Sequence, residues 1–258
     1  MFDAGLWLHA LLALLGLAAM GWVASVPLRN VSLVDSLWSL MFLLCAVLYT
    51  LGQRTLSVRA VLVLVLVALW SLRLAAYITW RNRGHGEDRR YQAIRQRNEP
   101  GFTWKSLYLV FGLQAGLAWV ISLPLLAAAG SRTPLGILDA VGALLWLVGI
   151  VFEAGGDLQL ARFKRDPGNA GKVMDRGLWR YTRHPNYFGD FCLWWGFYAF
   201  ALAGGGWWSV VGPLLMCALL LKVSGVTLLE SDIAERRPAY ADYVRRTPVF
   251  FPGPPKRG

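Results

Sequence analysis

Apolar runs long enough to cross a bilayer recur along the whole chain, and no other feature limits the possible folds so severely. A backbone in hydrocarbon must satisfy its own polar groups, so uninterrupted apolar runs near twenty residues read as transmembrane helices. Seven are counted, at about 5 to 26, 33 to 51, 58 to 80, 107 to 129, 135 to 161, 187 to 204 and 206 to 230. The expected class is all-α, a polytopic membrane protein with seven transmembrane helices. The chain is 56% hydrophobic and 16% charged, with no visible repeat or soluble tract, so residues 1–258 read as a single transmembrane domain. The first run carries no Lys or Arg before Arg29 and is too long for a signal core, so it reads as a retained span. Cys45, Cys192 and Cys217 all lie in apolar segments without metal-ligand spacing and read as buried free thiols.

Charge placement orients these helices. The loops after spans one, three and five, together with the C-terminal tail, hold twenty-one Lys and Arg, whereas the opposite side holds Arg54, Arg59 and Arg132. The bias predicts an N-terminus outside and a C-terminus in the cytoplasm. It also places the net charge of +11 along a membrane surface, so membrane lipids are expected partners and nucleic acid is not. Gly204, Gly205 and Gly206 join two apolar runs without a polar loop. A tight hairpin is expected there, because one span through both runs would need about 44 residues.

Polar residues inside or beside spans are expensive and mark candidate sites. Asp35 begins span two, one turn before Trp38; it reads as a helix-start residue or as a carboxyl group facing a cavity and donating a proton. Span three contains Tyr77 and ends in Asn82 and Arg83, followed by a Gly-His-Gly step at His85. That step lacks the third glycine of a dinucleotide fingerprint. The segment offers amide and guanidinium donors to a ligand, or anchors headgroups.

Span five carries Glu153 and Asp157 on one helical face, continued by Lys164. Two carboxylates in an apolar helix need partners. They suit ribose hydroxyls or an adenine amine, or an internal salt bridge to the basic loop beyond. No metal is expected, since His184 is the only histidine nearby. Lys164, Arg165, Lys172, Arg176, Arg180 and Arg183 then form a cationic concentration larger than one carboxylate ligand requires. A ligand with several phosphate charges would match it. Pro185 is expected in the first turn of span six, leaving N–H groups aimed at an anion. The tail, with Glu230 and with Tyr240 and Tyr243 one turn apart, reads equally as a cover over the ligand or as an amphipathic interfacial helix.

These residues carry a resemblance. Gly177-Leu178-Trp179-Arg180-Tyr181 and Arg183-His184-Pro185-Asn186-Tyr187-Phe188-Gly189, with the tail from Glu230 to Tyr243, resemble the C-terminal domain of the steroid 5-alpha-reductases. Val34-Asp35-Ser36-Leu37-Trp38, Asn82-Arg83-Gly84 and Glu87-Asp88-Arg89-Arg90-Tyr91 resemble the bacterial relatives most closely. The resemblance implies a seven-helix reductase in a bacterial inner membrane, holding NADPH in a cavity open to the cytoplasm. The cofactor-binding part would run from about 135 to 258. By that analogy Asn82, Arg83, Glu153, Asp157, Lys164, Arg180, Tyr181 and Asn186 lie at or near the nucleotide. His85, Lys172, Arg176, Arg183, His184, Tyr187, Glu230 and Tyr240 join them as cofactor-side candidates.

The implied reaction passes hydride to the β carbon of a conjugated ketone while an acid holds the carbonyl. The family uses a glutamate and a tyrosine for this, and Asp35 and Tyr77 are the candidates here. Asp35 is one methylene shorter than the glutamate, and Ser71 stands where the family has its tyrosine. The expected substrate is a hydrophobic enone entering from the bilayer, with a 3-oxo-4-ene steroid as one possibility. The Arg-His-Pro-x-Tyr-x-Gly pattern also resembles the isoprenylcysteine carboxyl methyltransferases, which bind S-adenosylmethionine. That cofactor has no phosphate, so the cations favour NADPH. A non-enzymatic lipid-binding protein is the third reading, and the oligomeric state is left open.

Overall fold

A computed structural model describes residues 2–223 and 239–256, and all regular secondary structure among them is helical. The helices are α1 (Ala4–Leu28), α2 (Leu33–Leu51), α3 (Val58–Asn82), α4 (Arg89–Asn98), α5 (Phe102–Ile121) and α6 (Leu123–Ala129). They continue as α7 (Ile137–Arg165), α8 (Pro185–Ala203), α9 (Trp207–Lys222) and α10 (Ala239–Arg246). Among the described residues α1, α2, α3, α5 and α7 are long and apolar enough to cross a membrane. The protein is thus an integral membrane protein with at least five candidate spans, where seven were expected. The stretches expected as the two remaining spans form α8 and, within the described residues, the shorter α9, neither of which is among those five. The chain divides into two compact units, Met1–Gly136 with Phe200–Gly212, and Ile137–Ala199 with Pro213–Gly258.

Local chemistry sets the helix ends in the first unit. Asp3 caps α1 by accepting from the Leu6 N–H at 2.9 Å, and Ser57 caps α3 from the Ala60 N–H at 3.1 Å. The fourth expected span is one run in the sequence but two helices in the structure. Pro124 has no N–H to continue the ladder, and the chain breaks at Ser122. The Ser122 hydroxyl donates to the Trp119 carbonyl at 2.8 Å and lies 2.9 Å from the Tyr49 hydroxyl, so the break is satisfied inside the bundle.

Packing, rather than exclusion of water, holds helices together in lipid. The Phe42 and Trp70 rings of α2 and α3 lie 5.8 Å apart, and the Ser39 hydroxyl donates to the Ser71 carbonyl at 2.9 Å. Leu12, Leu69 and Leu72 point outward, as a lipid-facing surface requires. Arg59, one of the three cations expected on the sparsely charged side, is buried. Its guanidinium donates to Ser131 and Thr133 hydroxyls at 2.5 and 2.9 Å and to the Pro134 carbonyl at 3.0 Å. The glycine hairpin forms after Ala203: Gly205 has φ +81, and a Cβ on Gly206 would stand 2.5 Å from the Ala127 side chain.

In the second unit α7 and α8 pack through glycines spaced by seven. A Cβ on Gly189 would lie 2.4 Å from the Glu153 nitrogen and 2.5 Å from the Gly149 carbonyl, and one on Gly196 would lie 2.8 Å from the Gly142 carbonyl. Such contacts let the two backbones touch. The touching places Glu153 and Asp157 against the first turns of α8.

Candidate functional site

The expected site residues fall into two groups, one in each unit. Asp35, Tyr77, Asn82, Arg83 and His85 belong to the first unit, and the remaining described candidates belong to the second.

Asp35 opens α2 and is held by residues far away in sequence. Its Oδ2 accepts from Arg90 Nη2 at 2.8 Å and its Oδ1 accepts from the Tyr91 hydroxyl at 2.5 Å. Gln114 Nε2 donates to that hydroxyl at 3.1 Å, just after a π-helical turn over Leu107–Gly112. Burial and the Asp35 charge push the Tyr91 phenol well above its usual range, so Tyr91 stays a donor at neutral pH. Burial pulls the Arg90 guanidinium down, but the Asp35 charge and the hydrogen bond and charge of Asp88 carry it above its ordinary value.

The segment just before α4 is clamped to the start of α2 by the Glu87 carboxylate and by the Asp88 backbone N–H. Glu87 accepts from the Val31 N–H at 2.9 Å and from Arg95 at 2.7 and 2.8 Å, and the Ser32 hydroxyl accepts from the Asp88 N–H at 2.8 Å. Burial would raise both acids, but the hydrogen bonds and charges of Arg95 and of Arg90 leave Glu87 and Asp88 below their ordinary values. Arg90 and Arg95 are therefore structural cations. Arg83, His85 and Arg89 are exposed and Asn82 half-buried at the end of α3. Tyr77 is half-buried on α3, 6.1 Å from the Trp80 ring and under the Arg81 guanidinium. Among the described residues no hydrogen bond joins it to Asp35, which is held by Arg90 and Tyr91.

In the second unit Glu153 and Asp157 are buried on α7, and Asn186 Nδ2 of α8 lies 3.4 Å from Asp157 Oδ1. Pro185 is the first residue of α8, as its fixed φ predicts. The loop before it is seated on α7: the Leu178 N–H donates to Gln159 Oε1 at 2.9 Å, and Trp179 Nε1 donates to the Gly156 carbonyl at 3.0 Å. Arg183 and His184 are buried, with the His184 ring stacked 5.6 Å from Tyr187. Lys164, Arg165, Lys172, Arg176, Arg180 and Tyr181 are exposed. The cationic concentration thus divides into a buried arginine and an outward basic face. Tyr240 is buried on α10, beside Tyr243 at 5.6 Å. Glu230 lies outside the described residues.

Several participants were not assigned from sequence. Arg90 and Tyr91 stand in the Glu-Asp-Arg-Arg-Tyr segment, whose sequence alone signals no role for them, and their link to Asp35 is non-local. Gln114, Gln159 and Thr182 carry no local signal. Gly142, Gly149 and Gly156, with Gly189 and Gly196, do carry one: the seven-residue spacing of small residues that marks a close helix contact. No cluster of metal-ligating side chains exists among the described residues.

Fold and site together define a class: a helical integral membrane protein with a basic, turn-rich loop seated on a carboxylate-bearing span. The chain belongs to the family described as a protein of unknown function, DUF1295, whose profile matches residues 21–247. It is 29% identical to a protein of Schizosaccharomyces pombe described as uncharacterized, over 90% of this chain and 75% of that one. It is also 40% identical to 3-oxo-5-alpha-steroid 4-dehydrogenase 1 of Mus musculus over 86 residues, 31% of each chain. The rat protein of the same name, from Rattus norvegicus, matches at 40% over 112 residues, 43% of this chain and 40% of that one. The matches to the two rodent enzymes therefore span less than half of their lengths. No solved structure matches.

Proposed function

We propose that this protein is an NADPH-dependent membrane reductase that saturates a carbon–carbon double bond conjugated to a ketone in a hydrophobic substrate. The observation that carries the reading is the 40% identity to 3-oxo-5-alpha-steroid 4-dehydrogenase 1. Dehydrogenation of a 3-oxo-5-alpha-steroid at position 4, run backwards, is reduction of an enone. The family likeness supports the reaction class; the steroid itself is one member of the substrate class.

The residues of the second unit fit the cofactor by their chemistry. Exposed Lys172, Arg176 and Arg180 supply charge for phosphates, with Lys164 and Arg165 at the end of α7. Asp157, Glu153 and Asn186 supply acceptors and a donor for ribose and amide groups, and Tyr181 an exposed ring. When bound, NADPH supplies the hydride. S-adenosylmethionine would leave the basic face without a phosphate to bind.

In the first unit Asp35 and Tyr77 are the proposed groups for holding a substrate carbonyl. Since Asp35 already accepts from Arg90 and Tyr91, its part is to hold and orient the Tyr91 phenol. Tyr91 joins Tyr77 as a neutral hydroxyl; its single O–H is given to Asp35 and reaches a substrate carbonyl only by turning away from that carboxylate. The reading includes seven membrane crossings, with α8 and α9 as the last pair, a cytoplasmic basic face in a bacterial inner membrane, and substrate arriving from the bilayer. NADPH oxidation by the purified protein against a panel of enones, 3-oxo-4-ene steroids included, tests it. Stoichiometric formation of the saturated ketone is expected; no turnover with any enone would count against the reading.

A further inference from the structure

The segment that follows α10 returns along the stretch that precedes α8. The Arg183 N–H donates to the Pro248 carbonyl at 3.0 Å, and the Gly253 N–H donates to the Tyr181 carbonyl at 3.0 Å. Between them the Thr182 hydroxyl donates to the Phe250 carbonyl at 2.8 Å. Thr182 is fully buried, and its oxygen also accepts from the His184 N–H at 3.3 Å. One hydroxyl thereby joins the returning segment, the loop and the start of α8. The Phe250 ring is buried 5.6 Å from Phe191 and 6.2 Å from Phe188, both on α8. Upstream, the Tyr243 hydroxyl donates to the Trp179 carbonyl at 2.5 Å.

The stretch from Tyr181 to His184 has no helix of its own; it lies between a 3-10 turn at Gly177–Arg180 and the first residue of α8. Buried backbone groups there need partners from elsewhere, and the returning segment supplies them. On either side stand Arg180 and Tyr181, which are exposed, and Asn186, which faces Asp157. Their relative placement is set through Tyr181, Thr182 and Arg183, which bond Gly253, Phe250 and Pro248 of the returning segment.

We propose that Thr247–Gly253 is a strap built into the cofactor site, and that Thr182 is the positioning residue through which it sets Tyr181, Arg183 and Asn186. The proposal rests on the reading of the second unit as the NADPH-holding side. Thr182 touches no ligand in this account. It acts through its neighbours, so its loss weakens cofactor binding and leaves the reacting groups as they were.

The test uses the full chain in lipid nanodiscs, with Thr182→Val, Thr182→Ser and Phe250→Leu. Amide hydrogen exchange is read at residues 181–184, together with KM for NADPH and kcat on an enone. Valine keeps the shape of threonine and removes the hydroxyl, so exchange at Arg183 and His184 should rise about tenfold or more. KM for NADPH should rise by a similar factor, with kcat within about twofold of wild type. Serine, which keeps the hydroxyl, should restore both, and Phe250→Leu should give the valine pattern in weaker form. Faster exchange with an unchanged KM overturns the proposal and leaves the reductase reading standing. Unchanged exchange in Thr182→Val overturns it as well. Wild-type protein that holds no NADPH overturns both together.

Discussion

The Tyr91 hydroxyl donates to the Asp35 carboxylate at 2.5 Å, across 56 residues of chain. Arg90 takes the other carboxylate oxygen, so Asp35 is the hub of a small polar network. In Asp35→Asn the amide cannot serve as the ionic partner of Arg90, and the phenol loses its charged acceptor. Turnover should fall by about 10²–10⁴-fold, while NADPH affinity stays within about threefold, since the groups assigned to the cofactor are untouched. Rapid-quench turnover beside NADPH titration separates the two. Tyr91→Phe should follow Asp35→Asn if the phenol is the donor, and Tyr77→Phe should do so if it is Tyr77.

Acid should loosen the loop that carries this network. Glu87 and Asp88 are both held below their ordinary values of 4.5 and 3.8 by Arg95 and Arg90, against the opposing effect of burial. A depressed carboxylate contributes stability that is present above its unfolded value and is lost as pH falls through its folded value. Exchange at the Val31 and Asp88 amides should therefore accelerate, beyond the intrinsic pH dependence, below about pH 4. Glu87→Gln should remove most of that acid response at Val31.

Glycine contact between α7 and α8 gives a sharper structural prediction. A methyl group on Gly189 meets backbone at 2.4 and 2.5 Å, so Gly189→Ala must push the helices apart. A loss of about 1–3 kcal/mol is expected, with weaker NADPH binding because Asp157 and Asn186 separate. Gly116, whose added Cβ has no neighbour within 4 Å, is the control, and Gly116→Ala should be neutral or slightly stabilising. Thermal unfolding in detergent reads both.

Arg59 should not tolerate lysine. Its fork reaches Ser131, Thr133 and Pro134 at once, which a single ammonium cannot reproduce. Arg59→Lys should cost about 1–3 kcal/mol in the same assay, without altering NADPH affinity.

Much of the helical framework was legible in the sequence because apolar runs report directly on lipid contact. The runs at 33 to 51 and 58 to 80 agree with α2 and α3 to within a few residues. The break at Ser122 was hidden by equally apolar sequence on both sides, and only Pro124 hints at it. Site legibility was uneven for a different reason. Glu153, Asp157 and Asn186 stand out as polar residues in or beside apolar helices, and the structure brings Asp157 and Asn186 together. Asp35 also stood out, but its partners did not. Pairings between residues 35 and 91, or 182 and 250, depend on the path of the chain, and no local pattern encodes them. Tyr77 is the one tyrosine of span three, where the resemblance calls for a phenol, whereas the phenol found on Asp35 belongs to a short polar helix outside the spans.

Equilibrium binding of labelled NADPH to the purified wild-type protein, with labelled S-adenosylmethionine in a parallel sample, decides which cofactor the protein holds. An NADPH-dependent reductase requires saturable, one-to-one retention of NADPH, weakened by at least about tenfold in Asn186→Ala and Arg180→Ala, and no retention of S-adenosylmethionine. Retention of S-adenosylmethionine without NADPH, or of neither, would contradict the reductase reading.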